Sequence, residues 1–211
     1  MIGILGGTFD PVHFGHLRPA LEIREQLQLD EVRLVVSARP PHREPPVASA
    51  LQRLAMLRAA VQGVDALRVD DREMRRAGPS YSVDTLESLR GALGAEPLAL
   101  IIGMDAFLGL DTWHEWQRIP TLAHLVVTHR PGWSLQQLGG SSALLQLVSE
   151  RAVEDTGMLH HSPAGYLVFQ PVTQLEISAT RIRTLVRARK DIHYLVPEHV
   201  HQLIKAQAIY G

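Results

Sequence analysis

Residues 6–16 read Gly-Gly-Thr-Phe-Asp-Pro-Val-His-Phe-Gly-His. Two glycines, then two histidines three positions apart, are the parts of an anion pocket. Gly6 and Gly7 let a chain turn sharply and let a phosphate approach the backbone. His13 and His16 sit close to one helical turn apart, so a helix starting there puts both imidazoles on one face. Its unpaired N–H groups and positive dipole end point at the same spot. A His-x-x-His pair also suits a metal, but no third ligand stands at an obvious spacing, and core burial is the ordinary fate of a histidine. The glycines ahead of the pair favour phosphate. Asp10 reads either as a Mg²⁺ contact or as a turn aspartate.

A second constellation is Ile177-Ser178-Ala179-Thr180-Arg181-Ile182-Arg183. Ser178 reads as an N-cap, which makes another helix N-terminus. Thr180 adds a hydroxyl and Arg183 a permanent positive charge. Taken alone this is a capped surface helix. Five cations from Arg181 to Lys190 in a chain of formal net charge −1 give an anion role more weight. Residues 80–86 (Ser-Tyr-Ser-Val-Asp-Thr-Leu) read as a third capped helix start. At 101–105 an apolar run ends in Gly103 and Asp105, the aspartate serving a ribose or capping the next helix. Asp111-Thr112-Trp113-His114-Glu115-Trp116 places an indole that either packs or stacks on a flat cationic ring.

The elements that position these residues alternate. Ile2–Leu5, Val32–Ala38, Leu67–Val69, Leu98–Gly103, His124–Thr128 and Tyr166–Phe169 read as strands, several of them continuously apolar as in strands buried on both faces. Helical spacing runs from Leu17, through Leu54, Leu57 and Val61, and through Val83, Leu86, Leu89 and Leu93. Helices also open near Ser178 and at Pro197. This order predicts an α/β fold: a Rossmann-like, doubly wound parallel sheet with the first strand central, and ligands beyond the carboxyl ends of the strands. The stiff loop Pro40–Pro46 leaves its strand at that end. Residues 1–211 read as one domain, with a small helical portion from about 178 to 211.

Composition narrows the partners. The charge balance argues against general nucleic-acid or membrane binding. The absence of cysteine excludes disulfides, thiol catalysis and cysteine-ligated zinc. No apolar stretch reaches membrane-spanning length, and the first residues resemble a buried strand rather than a signal peptide, so a cytoplasmic location is expected. Oligomeric state, monomer or homo-oligomer, is left open. His160, His161, His193, His199 and His201 read as solvated surface.

In this order, the segments resemble the bacterial nicotinate-nucleotide adenylyltransferase family. Residues 6–16 match its Gly-Gly-x-Phe-Asp-Pro-x-His-x-Gly-His, and 177–183 its Ile-Ser-x-Thr-x-Ile-Arg. Residues 80–86, 101–105 and 112–113 match its Ser-Tyr-x-x-x-Thr-Leu, Ile-Ile-Gly-x-Asp and Thr-Trp, and Arg130-Pro131 stands where it has Arg-Pro. Arg43 replaces a lysine of many members, and His114 a tyrosine of some.

The resemblance implies the nucleotidyltransferase fold and transfer of AMP from ATP to nicotinate mononucleotide. It implies that His13, His16 and Arg183 carry catalysis. ATP would lie on Gly6, Gly7, Thr8, Phe9, His13, His16, Gly103, Asp105, Ile177, Ser178, Thr180 and Arg183. Nicotinate mononucleotide would lie on Arg43, Thr85, Trp113, His114 and Arg130. Mg²⁺ would enter mainly on the ATP phosphates, with no metal site of the protein's own. The alternatives are an adenylyltransferase for nicotinamide mononucleotide or phosphopantetheine, and a non-catalytic nucleotide-binding module.

Overall fold

A computed structural model describes residues 1–40, 45–133 and 141–211. Six strands form one sheet: β1 (Ile2–Gly7), β2 (Glu31–Val36), β3 (Leu67–Asp70), β4 (Leu98–Gly103), β5 (His124–His129) and β6 (Leu167–Pro171). Every pairing is parallel and the order is β3-β2-β1-β4-β5-β6. The chain therefore reverses its direction of travel across the sheet between β1 and β4, the switch point where open α/β sheets bind ligands.

Successive residues of each strand face opposite sides, so an apolar strand feeds two cores. In β4, Ala99 and Ile101 join one core with Leu17 and Ile23 of α1 (Phe14–Gln26), Met56 and Leu57 of α2 (Ala50–Ala60), Ile182 of α7 (Ala179–Arg187), and Val200 and Ile204 of α8 (Glu198–Ala206). Leu98, Leu100 and Ile102 join the other, with Val83, Leu86 and Leu89 of α3 (Ser82–Leu93), Phe107 of α4 (Met104–Leu108), Ile119 of α5 (Ile119–Leu122) and Leu144 and Leu147 of α6 (Ser142–Arg151).

The boundaries differ from the sequence expectation where side chains compete for backbone groups. The second strand stops at Val36, not Ala38, because the Arg53 guanidinium takes the carbonyls of Ser37 and Ala38. The sixth begins at Leu167 because the Tyr166 N–H is spent on His124 Nδ1. Helix α1 starts at Phe14, three residues before its apolar stripe, so His13 is its N-cap and His16 lies in its first turn. Among the described residues, no helix is long and apolar enough to cross a membrane.

Candidate active site

Strand β1 pairs with β4 only from Ile2 to Ile4, whereas it pairs with β2 along its whole length. Beyond Ile4 and Leu100 the two central strands part. Gly6 and Gly7 end one lip of the cleft and Gly103 the other.

The glycines act differently from expectation. Both lie inside β1 with ordinary φ, so neither makes the turn. Gly6 faces open space: a Cβ built there meets nothing within 4 Å. Gly7 is small because the Phe9 ring lies on it, and a Cβ would come within 2.9 Å of that ring. The turn falls on Phe9, whose φ of 50° is costly for a bulky residue. Its ring is buried against Gly7 and edge-on to His16, so the Phe9 side chain positions the loop and only its backbone is left for a ligand.

His16 Nδ1 accepts the His13 N–H at 3.3 Å, which leaves the proton of a neutral His16 ring on Nε2. The His13 and His16 rings stack 3.8 Å apart. His13 is 5 % exposed, and burial lowers its pKa to about 4. Its Nδ1 is buried with no partner among the described residues. That atom packs against Gly15 in the first turn of α1, so it is not the ring nitrogen offered to a ligand.

Asp10 does not act as a local turn residue. Oδ2 accepts from Val47 N at 2.8 Å, and Oδ1 from Ala48 N at 3.1 Å and the Tyr210 hydroxyl at 2.8 Å. Both oxygens are engaged and the residue is 6 % exposed, so the group does not fit a direct Mg²⁺ ligand. Beneath the loop, Arg53 is 1 % exposed and donates to the carbonyls of Thr8 (2.7 Å), Ser37 (2.8 Å), Ala48 and Ala38. The sequence reading missed Arg53 and Tyr210. Arg53 had a signal: a charge one turn from Leu57 on the buried stripe of α2. Tyr210 had none.

The second constellation meets the first. Ser178 caps α7, its hydroxyl accepting from Arg181 N at 3.2 Å. Arg183 Nη1 donates to the Asp10 carbonyl at 2.7 Å, and Nη2 to Thr180 Oγ1 at 3.2 Å. A Cβ on Gly15 would come within 2.9 Å of His13 Nδ1 and 3.3 Å of the Ile177 carbonyl, so only glycine lets the two segments close. Two helix N-termini 165 positions apart (His13 and Ser178) thus converge beside the same histidine pair.

On the β4 side, Gly103 is the N-cap of α4, which removes the capping role from Asp105. Asp105 lies exposed in the first turn with its carboxylate folded over Gly103. The start of α3 is where expected, but it is not capped by a side chain: Tyr81 is the N-cap, and Ser80 Oγ accepts from Arg39 N instead. Its first-turn N–H groups have no side-chain cap, and Asp84 is the one acidic residue in that turn. Tyr81 stacks on His114 at 4.2 Å, joining the 80–86 and 112–114 segments. Trp113 is half-buried against the second core. Thr85 is buried, and its hydroxyl donates to Glu73 Oε1 at 2.5 Å, so its side chain serves the wall rather than an open pocket. Arg130 is exposed just beyond β5. Arg43 lies outside the described residues.

Comparisons with known proteins identify the family. Residues 4–185 match the cytidylyltransferase-like family model. A Methylococcus capsulatus protein named "probable nicotinate-nucleotide adenylyltransferase" is 48% identical over 212 residues, covering 100% of both chains. The chain belongs to the nicotinate-nucleotide adenylyltransferase family. A Pseudomonas fluorescens protein of the same name is 50% identical, covering 99% of this chain and 96% of its own. The fold matches a Plasmodium falciparum nicotinic acid mononucleotide adenylyltransferase complexed with NaAD, with a TM-score of 0.72 at 16% identity, covering 99% of this chain and 96% of that one. Within the family's frame, the motifs at 6–16 and 177–183 are the pair that the fold brings into contact.

Proposed function

We propose that this chain transfers AMP from ATP to nicotinate mononucleotide, forming nicotinate adenine dinucleotide and pyrophosphate on the route to NAD. The observation that carries the proposal is the contact between Arg183 and the Asp10 carbonyl at 2.7 Å, which seats the cation of one motif on the backbone of the other. Family membership and the β1–β4 cleft support the same reading.

In this reading a phosphate oxygen of nicotinate mononucleotide attacks the α-phosphorus of ATP. The bond from that phosphorus to the bridging oxygen of the β-phosphate breaks, and pyrophosphate leaves with the electron pair. The attacking phosphate is largely dianionic at neutral pH, its second pKa lying near ~6, so no general base is needed. The work is alignment and offsetting of charge. His13, kept neutral by burial, and His16 donate hydrogen bonds to the phosphates, the starts of α1 and α7 add their positive dipole ends, and Arg183 holds the leaving group. Asp105 takes the ribose at the Gly103 lip. The uncapped start of α3 receives the nicotinate carboxylate through N–H donors, which favours the acid over the amide, and Trp113 stacks on the pyridinium. Mg²⁺ carried on the ATP phosphates would supply charge neutralisation there. We read residues 1–211 as one domain, because Val200, Ile204 and Tyr210 share a core with Phe9 and Val12. A cytoplasmic location belongs to the same proposal.

Pyrophosphate release measured with ATP, Mg²⁺ and a panel of acceptors tests it. Dominant turnover of nicotinate mononucleotide is expected. Dominant turnover of nicotinamide mononucleotide or phosphopantetheine, or ATP binding without turnover, refutes it.

A further inference from the structure

The turn between α7 and α8 and the first turn of α8 gather Asp191, His193, Glu198 and His201. His193 and Glu198 are exposed, as expected of a surface, and His201 is partly buried. One ligand atom from each of the three lies within 4.8 Å of the other two. The two imidazole rings meet edge to face, with centroids 4.1 Å apart. Glu198 and His201 are three residues apart on α8, so they share a face, and His193 reaches the same point from the preceding turn.

We propose that His193, Glu198 and His201 bind a divalent transition metal of the zinc class. His193 is already oriented as a ligand would be. Its Nδ1 pairs with Asp191 Oδ1, which also accepts the His193 backbone N–H at 2.8 Å. That leaves Nε2 facing Glu198 Oε2 at 3.8 Å, too far for a hydrogen bond between them. Zinc bonds of roughly 2.0–2.1 Å in tetrahedral geometry set ligand atoms about 3.4 Å apart, so a modest contraction seats an ion between the two. A carboxylate behind a ligating histidine is the arrangement that fixes its tautomer and raises its basicity.

His201 supplies a second, independent observation: its Nδ1 is buried with no partner among the described residues. A metal uses all three. Two imidazoles and a carboxylate, with a fourth position left to water, suit zinc better than Mg²⁺ or Ca²⁺, which prefer oxygen. The ion's role is a brace. It pins the turn whose Leu195 carbonyl accepts the N–H of Phe14, the first residue of α1, at 3.2 Å. The inference stands apart from the proposed reaction, because it concerns binding alone.

Metal-free protein titrated with Zn²⁺ against a chromophoric chelator tests it, with a Co²⁺ titration read by visible absorption. One equivalent is expected, with the intense Co²⁺ bands of a four-coordinate site. His201→Ala and Glu198→Gln should each weaken binding at least about tenfold, and Asp191→Asn by about tenfold, as loss of a carboxylate behind a ligand does. Circular dichroism of each variant checks folding, and Glu198→Gln keeps the shape of the site. Zn²⁺ should raise the wild-type melting temperature and not that of His201→Ala. Loss of the equivalent in His16→Ala would place the ion in the phosphate pocket and overturn the proposal. So would absence of binding, or binding unchanged in both His201→Ala and Glu198→Gln.

Discussion

The hydroxyl of Tyr210 donates to Asp10 Oδ1 at 2.8 Å, both side chains buried, across 200 positions of the chain. Asp10 in turn holds Val47 and Ala48 through their N–H groups and presents its own carbonyl to Arg183. The loop that carries the histidines is therefore fastened from the opposite end of the sequence. Burial and the neighbouring carboxylate push the Tyr210 phenol well above its ordinary pKa, so it remains a donor across the physiological range.

Tyr210→Phe removes that donor and leaves the ring. A hydrogen bond to a charged acceptor is worth about 1.5–3 kcal/mol, so a loss of that order is expected in urea denaturation. Turnover should fall less than stability, because Val47 and Ala48 still hold Asp10. Unchanged stability would mean the contact contributes nothing.

His16→Ala should lower kcat by at least about two orders of magnitude, the scale of losing one preorganised donor to developing charge. Steady-state and single-turnover kinetics with ATP and nicotinate mononucleotide measure it. A wild-type kcat would remove His16 from the mechanism.

Trp113→Ala should raise the KM for nicotinate mononucleotide and leave ATP binding near wild type. Since Trp113 also packs against the core under α3 and α4, some loss of stability accompanies it. Equal loss for both substrates would make the indole structural only.

Acid should unfold the protein partly through its buried histidines. Burial lowers His13 to about 4 and also lowers His124, which is 0 % exposed and bonded through both ring nitrogens. A histidine of depressed folded pKa binds fewer protons folded than unfolded, so its stability contribution is complete above about pH 6.5 and is lost as pH falls toward 4. For His13 the full swing is on the order of 3 kcal/mol. Urea midpoints of wild type and His13→Asn at pH 7 and pH 4.5 measure it. The variant should lose less between those pH values, and an identical loss would clear His13.

Much of this was legible from local pattern. Continuous apolar runs and helical spacing place the six strands and the helices of α1, α2, α3 and α7, because burial on both faces of a parallel sheet imposes those patterns directly. The central position of β1 follows from the order of elements. His13, His16, Ser178 and Arg183 declare themselves because a helix start needs particular residues at particular offsets. Arg53 was half legible, as a charge on an apolar stripe. What it holds was not: its partners are backbone carbonyls, and a carbonyl carries no residue identity.

The amino-acid order alone determined the six strands, the main helices and the family, and it nominated the motifs that meet at the cleft, since each of these is written within a few consecutive residues. Only the tertiary structure decided what those residues touch. It gave Gly7 to the Phe9 ring, withdrew Asp10 into a clasp with Tyr210, turned the Thr85 hydroxyl toward Glu73, and drew His193 and His201 together. Contacts between distant positions depend on how the sheet and its helices pack, and packing distances are set by the whole core rather than by any local run of residues.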